Sequence, residues 1–519
     1  MKKILLLLTA MLVTMATEAK VVKILMSDGE WKIYSSSQLS AIDFNADGTV
    51  SVVGYDGELL TTLDPSVDKI TIGDDYEIIY VKERTLTFDA KTMMEEFGGG
   101  SSESLDLIQG ILFDRDVTQV SFAYPSIDPY GNPITQSGMM IIPQDILNKE
   151  AKSEGILLYN HTTLTSTSWT PSNGYLLLEP IFLCNPLTPN FIIVEADLYG
   201  FGTTDRFPQA FVQGHANEHA SLDCLLAARS ILEAMNVEEG PLTFNIGYST
   251  GGYEALSTQR CRDMEYADRI SFTKTFAGGS PSDMKVCYRE MIARDSIDYS
   301  CVLALLISSI NEIHHLGKDY SEFFLPDIAA KIEPVILSKK YNHFEIDSVL
   351  EAGSIIHNIL TPTYCDLDSP ESVEMQALLE TLSLNRDWVP DPSQKIFIMH
   401  MHDDDVIPLP AGEALVDYLK ANGMKTSIIP GRGNLEADFN TRDKGHISGF
   451  MPFMIKVIAN ITTWTVMYSD GVLKPEWQKV LEEQMEEAAN NQGEAAQPRQ
   501  LTPMQKCEAE LYKWLNIKH

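Results

Sequence analysis

The sequence is poor in cysteine and in positive charge, and both shortages limit the classes of protein that it can encode. Its 519 residues hold seven cysteines and no C-x-x-C pair, which is the spacing typical of zinc sites and thioredoxin-like redox motifs. Lys and Arg number 39 against 73 Asp and Glu, so the formal net charge is −34. Such a surface repels phosphate backbones and anionic lipid headgroups. We therefore expect no metal site and no nucleic-acid partner.

Long apolar runs are also scarce. The first 19 residues combine a basic start, an apolar run over residues 4–13 and small residues up to Ala19, a pattern typical of a secretory signal peptide. The run is too short to span a bilayer, and the most apolar later stretch, residues 450–466, is interrupted by Lys456. The sequence predicts an exported protein, periplasmic or extracellular, without stable membrane insertion.

Hairpin signals come first along the chain, and a regular alternation of strands and helices follows. Repeated Asp-Gly pairs in residues 20–75 predict a small β module. Short apolar runs bounded by loops then recur, as expected of strands that are buried on both faces. These runs are residues 155–159, 191–196, 242–246, 272–276 and 396–399, and a last strand is predicted at 424–429. Because helical patterns separate several of them, we expect a doubly wound, mostly parallel sheet.

The alternation stops at about residue 280. The next hundred or so residues are largely helical in pattern, including 302–310 and 346–360, and they fall between two predicted strands. An insertion at the C-terminal edge of a sheet is well placed to cap a site there, although a helical subdomain that never moves would give the same pattern. The predicted division is a signal peptide (1–19), an accessory β domain (20–75), a core in two parts (76–279 and 395–470), a helical cap insertion (280–394) and a C-terminal helical tail (471–519).

The strongest sign of chemistry is the segment Gly247-Tyr248-Ser249-Thr250-Gly251. An apolar, strand-like run leads into it and helix-forming residues follow at once. A G-x-S-x-G motif between a strand and a helix exposes its serine at a sharp turn, and the Thr250 N–H would be free to hold an oxyanion. Without further partners, an ordinary serine in a glycine-rich turn would explain the motif as well.

A serine becomes a good nucleophile only when an imidazole takes its proton and a carboxylate orients that imidazole. Three adjacent aspartates, Asp403 to Asp405, directly follow the predicted strand at 396–399. Further along, Gly445 precedes His446 in a loop, where a glycine lets the backbone turn back towards the serine. The order serine, aspartate, histidine predicts a triad of Ser249, one of these aspartates and His446.

These motifs, in this order, resemble the α/β-hydrolase superfamily and more narrowly the secretory lipases, the lipase A-like group, over about residues 155–464. The resemblance implies the α/β-hydrolase fold: a mostly parallel central sheet with a helical cap insertion, preceded here by a small N-terminal β module. It places Asp404, four residues before Pro408, as the catalytic acid, with Asp403 or Asp405 as substitutes. It places His446 on the family's Gly-His motif.

The resemblance also implies an oxyanion loop at residues 159–163. Thr162 stands where the family has a glycine, so the backbone N–H that joins the N–H of Thr250 in the oxyanion hole is that of Thr163 or that of Thr162. We assign Thr163.

Together these features predict a secreted serine hydrolase that cleaves carboxylic esters through an acyl-enzyme, a lipase or esterase. Ser249 would attack, His446 would relay the proton and Asp404 would orient His446, with no metal or organic cofactor and a small-molecule or lipid ester as substrate. Three alternatives stay open: a serine peptidase of the same fold, an esterase that removes acetyl or feruloyl-type groups from polysaccharides, and a non-catalytic binding protein. The acyl length, the alcohol group and the oligomeric state are not predicted.

Overall fold

The computed structural model describes residues 20–26, 31–35, 39–45, 49–54, 59–63, 67–74, 80–88, 115–173, 190–426, 433–441, 445–469 and 472–473. The predicted signal peptide, and the predicted C-terminal tail apart from residues 472–473, lie outside these ranges. The strands are β1 (Lys20–Met26), β2 (Trp31–Ser35), β3 (Leu39–Phe44), β4 (Val50–Gly54), β5 (Leu59–Leu63), β6 (Val67–Asp74), β7 (Tyr80–Phe88), β8 (Arg115–Ile127), β9 (Pro133–Pro143), β10 (Gly155–Asn160), β11 (Phe191–Ala196), β12 (Leu242–Tyr248), β13 (Lys274–Gly278), β14 (Ile396–Met399), β15 (Leu435–Asp438), β16 (Tyr468–Ser469) and β17 (Val472–Leu473).

Twelve of these strands form one sheet in the order β15-β14-β13-β12-β10-β11-β9-β8-β7-β2-β1-β6. Strands β10 to β15 are parallel to their neighbours within that group. The pairing becomes antiparallel from β11 to β9 onward. The predicted parallel sheet is therefore confirmed, as one half of a larger mixed sheet.

The N-terminal strands continue that sheet at one edge. Strand β2 pairs with β7 through Trp31 and Lys32, while β3, β4 and β5 form a small antiparallel sheet of their own. The predicted small N-terminal β structure is present. Its treatment as a separate domain, like the other predicted domain boundaries, stays a prediction.

The helices are α1 (Gln144–Leu147), α2 (Gly214–Ala234), α3 (Thr250–Glu265), α4 (Met284–Arg294), α5 (Cys301–Ile313), α6 (Tyr320–Phe323), α7 (Pro326–Lys331), α8 (His343–Leu350), α9 (Pro362–Cys365), α10 (Pro370–Leu382), α11 (Leu409–Ala421) and α12 (Phe450–Met467). Helices α4 to α10 lie between β13 and β14, in the predicted insertion. Within the described residues, none of the helices combines the length and the apolar character needed to cross a bilayer.

Alternate side chains of the central strands pack on opposite faces of the sheet, which is why these strands read as continuous apolar runs. Leu157 and Tyr159 of β10 pack with α12 on one face. Ile156 and Leu158 pack with α2 on the other. The core therefore consists of two layers of apolar side chains with the sheet between them.

Two predicted elements are wrong in part. The last parallel strand is Leu435–Asp438, which pairs with β14, and not residues 424–429. Of those predicted residues, Thr426 makes one isolated bridge and 427–429 lie outside the described ranges. The sequence of strand β15, Leu-Glu-Ala-Asp, has low β propensity. The strand forms at the edge of the sheet because β14 offers it a row of backbone N–H and C=O groups to pair with. The predicted helix at 346–360 ends at Leu350, because Glu351 takes a left-handed conformation (φ 55°).

Helix α3 approaches the end of β10 closely at Gly251. A Cβ there would lie 2.0 Å from the backbone oxygen of Asn160. Moving the helix away from the strand would disturb the packing of α3 on the sheet. Gly251→Ala should therefore lower the free energy of unfolding by more than about 2 kcal/mol, measured by denaturant unfolding. Gly353→Ala is the matched control, since Gly353 has a positive φ but open space around it and should cost about 1 kcal/mol. Equal losses for the two variants would contradict the steric argument.

Candidate active site

Ser249 lies at the turn between β12 and α3 in a strained conformation, with φ 57° and ψ −124°. A Cβ on Gly247 would lie 1.9 Å from the Gly251 oxygen, so the turn requires glycine on both sides of the serine. The Ser249 N–H donates to the Gly278 carbonyl at 2.8 Å. The serine side chain is thereby presented at the N-terminus of α3, at the C-terminal edge of the parallel strands.

His446 contacts both other members of the predicted triad. Its Nε2 lies 2.7 Å from Ser249 Oγ, and its Nδ1 lies 2.7 Å from Asp404 Oδ2. An ionised carboxylate can only accept, so Nδ1 donates to Asp404 and Nε2 of the neutral ring accepts from the serine hydroxyl. His446 and Asp404 are 4% and 5% exposed. The three side chains form a continuous hydrogen-bonded chain that ends at the serine oxygen.

Asp404 is held as an anion by its hydrogen-bond donors. Burial alone would raise its pKa, but the charge and hydrogen bond of His446 and the backbone of the acid loop outweigh burial and lower it. The second oxygen, Oδ1, accepts from the N–H groups of Val406 at 3.0 Å and Ile407 at 2.7 Å. Asp404 therefore stays ionised into acidic solution, where it can hold an imidazolium.

The neighbouring aspartates have different contacts. Asp405 Oδ1 accepts from the backbone N–H of His446 at 2.7 Å. Asp403 is about half exposed and pairs with His402 at 2.8 Å. Only Asp404 reaches the His446 ring among the three, while Asp405 holds the loop that carries it.

Thr163 and Thr250 lie side by side next to Ser249. Their hydroxyl oxygens are 2.9 Å apart, and both residues line the same cavity as Ser249, His446 and Thr162. The backbone N–H of Thr250 belongs to the first turn of α3, where N–H groups have no partner within the helix. The structure thus brings the predicted oxyanion residues to the serine.

The cavity has a volume of about 270 Å³ and lies between the core and the inserted helices. Residues of the insertion that line it include Met284, Met291, Leu303 and Leu306. Among the described residues that line it, none is Asp, Glu, Lys or Arg. The insertion therefore covers the serine with a largely apolar chamber.

Solved structures with this architecture come from several organisms. One, provisionally described as a hydrolase, is from Legionella pneumophila (TM-score 0.60, 16% identity, 75% of this chain and 97% of that one). The rice cell wall degrading esterase LipA from Xanthomonas oryzae gives a TM-score of 0.57 at 16% identity over the same shares. Candida antarctica lipase A gives 0.51 at 15% identity, over 85% of this chain and 90% of that one. The chain has the α/β-hydrolase fold. Neither a protein-family model nor a curated protein sequence matches it.

Two residues that support this candidate site were not predicted. The Tyr248 hydroxyl donates to the His446 carbonyl at 2.6 Å, so the residue before the serine also holds the histidine loop. Arg294, on the insertion, donates to the backbone carbonyls of Asp404 and Val406 at 3.2 and 3.3 Å. The position of Tyr248 beside the serine was known from the sequence, because Tyr248 is the first variable residue of the G-x-S-x-G motif. Nothing in the sequence relates Arg294 to the acid loop.

One cluster elsewhere in the fold combines residue types that bind metals. Glu218, His219 and Cys261 place ligand atoms within 4.8 Å of one another. However, Glu218 Oε2 already accepts from Arg260 at 3.0 Å and Ser257 at 2.7 Å. The cluster is therefore accounted for by a buried ion pair between α2 and α3.

The contrast between Asp405 and Asp403 gives a test of how the histidine loop is held. Asp405→Ala leaves the buried His446 N–H without an acceptor, at a cost of about 1–3 kcal/mol, and should slow labelling of Ser249 by a fluorophosphonate about tenfold. Asp403→Ala, which changes an exposed residue, should label at the wild-type rate. The rates are compared by mass spectrometry of the labelled peptide. Equal rates for the two variants would show that the Asp405 contact is unimportant.

Proposed function

We propose that this protein is a serine hydrolase that cleaves carboxylic esters, a lipase or esterase. The observation that carries the proposal is the hydrogen-bonded chain from Asp404 through His446 to Ser249, which opens into a capped apolar cavity. Solved proteins of the same fold include an esterase and a lipase. Residues 1–19, with the pattern of a signal peptide, would direct the enzyme to the periplasm or the cell exterior.

The proposed reaction forms and breaks one acyl-enzyme. Ser249 Oγ attacks the ester carbonyl carbon while its proton passes to His446 Nε2, and the N–H groups of Thr250 and Thr163 hold the resulting oxyanion. The tetrahedral intermediate collapses, and the alcohol leaves with the proton from His446. Water then attacks the acyl-Ser249 ester with His446 as base, which releases the acid and restores the serine. No metal or organic cofactor takes part in this scheme.

The cavity lining favours an ester of an apolar acid over a peptide. A peptidase of this fold that anchors a peptide terminus would commonly use paired acidic residues, and the described lining contains no Asp or Glu. Methionine, leucine and aromatic side chains instead offer apolar contact to an acyl group. An esterase that removes acyl groups from polysaccharides would use the same triad and would differ in its preference for short acyl groups.

Loss of the serine tests the proposal directly. Ser249→Ala should leave almost no hydrolysis of chromogenic esters from acetyl to palmitoyl, because no nucleophile remains. Asp404→Asn should lower kcat by about four orders of magnitude, because an amide cannot hold His446 in the required tautomer. If ester hydrolysis persists in Ser249→Ala, or if no ester is cleaved by the wild type, the assignment is wrong and peptide substrates should be tried next.

The cavity predicts acyl selectivity that a single helix can alter. Leu303 lines the cavity, while Leu305 on the same helix is equally buried but does not. Leu303→Phe should reduce kcat/KM for the longest accepted acyl chains by about fivefold or more, since each blocked methylene contact is worth about 1 kcal/mol, and should spare acetyl esters. Leu305→Phe carries a similar packing cost and should leave the chain-length profile unchanged. If Leu303→Phe leaves the acyl chain-length profile unchanged, the acyl group does not bind against Leu303.

A further inference from the structure

A second, much smaller cavity lies behind the wall of the first. Its volume is about 10 Å³, close to the minimum for one water molecule. Phe211, Val212 and Thr250 line both cavities. The small cavity is therefore separated from the serine chamber by these three residues, one of which is the predicted oxyanion residue Thr250.

Two buried polar groups that line this small cavity have an atom without a hydrogen-bond partner. They are Glu254 Oε2 and His161 Nε2, on residues that are 1% and 3% exposed. Glu254 lies one helical turn after Thr250 on α3, and His161 directly follows β10. Because a buried polar atom without a partner destabilises the folded state, one water that bonds to both atoms would be strongly held.

The other oxygen of Glu254 belongs to a network that fixes the chamber wall. Asn217 Nδ2 donates to Glu254 Oε1 at 3.0 Å and to the Ala210 carbonyl at 2.9 Å. Asn217 Oδ1 accepts from the Tyr199 N–H at 3.2 Å. Through Asn217, the carboxyl of Glu254 is connected to the segment that precedes Phe211 and Val212.

His161 connects the same cavity to the oxyanion loop. Its Nδ1 lies 2.8 Å from the Thr162 carbonyl oxygen, which can only accept, so Nδ1 carries the proton and Nε2 of the neutral ring is an acceptor. A protonated Glu254 would donate from Oε2 to a water in the cavity, and that water would donate to His161 Nε2. The two unpaired atoms, Glu254 Oε2 and His161 Nε2, then each have a hydrogen-bond partner.

We propose that Glu254 is a positioning residue for the serine hydrolase site: its neutral carboxyl, acting with His161 across the small cavity, holds the oxyanion loop at residues 162–163 against the start of α3. The inference rests on the proposed function. Ionisation of Glu254 would break the donor chain and place a negative charge behind the oxyanion, where the developing charge of the transition state needs stabilisation.

The surroundings of Glu254 favour its neutral form. Burial raises its pKa to about 8, with Glu218 acting in the same direction and Asn217 and Arg260 opposing. Of the charged or titratable groups around it, Glu218 has a pKa lowered to about 2 despite burial, by His215 and Arg260. Burial raises the pKa of Tyr253 and lowers that of His161, while nearby Glu218 keeps Arg260 charged. Glu254 is thus the member of this group that titrates between pH 7 and 9.

One other buried group near the wall titrates in the same range. Lys339 has a pKa lowered to about 8 by burial, and its Nζ donates to the carbonyls of Gly200, Asp205 and Phe207. Lys339→Arg keeps a cation at every pH and so removes this titration while leaving Glu254 in place. It is the control for an alkaline effect that does not come from Glu254.

The experiment compares the full-length wild type with Glu254→Gln, Glu254→Leu and Lys339→Arg. Fluorophosphonate labelling of Ser249 and ester hydrolysis are followed from pH 6 to 10. The wild type and Lys339→Arg should lose kcat as pH rises through about 8, with little change in KM. Glu254→Gln, which keeps a neutral donor and acceptor, should retain near wild-type kcat at pH 7 and lose the alkaline decline. Glu254→Leu should lower kcat about tenfold to a hundredfold, less than the loss of an oxyanion donor itself.

Thermal unfolding gives a readout that does not depend on activity. Because the pKa of Glu254 is raised from 4.5 to about 8, its contribution to stability is fully present below pH 4.5 and is lost as pH rises to about 8. The Tm of Glu254→Gln should therefore rise relative to the wild type over that interval and level off above it.

The outcomes separate the two proposals. If the wild type is not labelled at Ser249 and cleaves no ester, the proposed function fails and the role of Glu254 falls with it. If the wild type is active but Glu254→Gln keeps the alkaline decline, or Glu254→Leu keeps wild-type kcat, only the positioning role is overturned. A Tm difference that does not change with pH would show that Glu254 is ionised throughout, which also overturns it.

Discussion

The site depends on how closely the start of α3 approaches the ends of β10 and β12. At Gly247 and Gly251 there is no room for a Cβ, and Ser249 between them is forced to a positive φ. A strained residue of this kind persists only where its surroundings fix it from several sides. Here the sheet on one side and the helix on the other supply that constraint. The result is that the serine oxygen and the Thr250 N–H are in place before any substrate arrives.

The same constraint explains why the supporting contacts come from distant parts of the chain. The acid loop follows β14 and the histidine loop precedes α12, and neither is regular structure. Tyr248, Asp405 and Arg294 hold these loops through backbone groups. Because Arg294 comes from the insertion, the helices that cover the serine also hold the backbone of the loop that carries Asp404. Covering the site with apolar side chains further strengthens electrostatic interactions inside it.

The sequence predicted those parts of the structure that depend on local pattern. Strands buried on both faces were recognisable as apolar runs, and β11 and β14 lie where they were expected. Ser249, one aspartate after β14 and His446 followed from motif chemistry. Strand β15 was missed because its pairing with β14, and not its composition, makes it a strand. Glu254 was missed because helix position alone does not reveal an unpaired oxygen that lines a small cavity.

Two buried carboxyls near the serine have opposite pKa shifts because only one of them has enough partners to offset burial. Asp404 and Glu254 are both almost inaccessible to solvent, yet the pKa of one is lowered and that of the other is raised. Asp404 has an imidazole and two backbone N–H groups as donors, whereas the pKa of Glu254 is raised by burial, which its one amide donor does not offset and to which the nearby carboxylate of Glu218 adds. A negative charge on Asp404 stabilises the imidazolium, while one on Glu254 would oppose the oxyanion. The two opposite shifts thus match the two opposite charges that the proposed transition state develops.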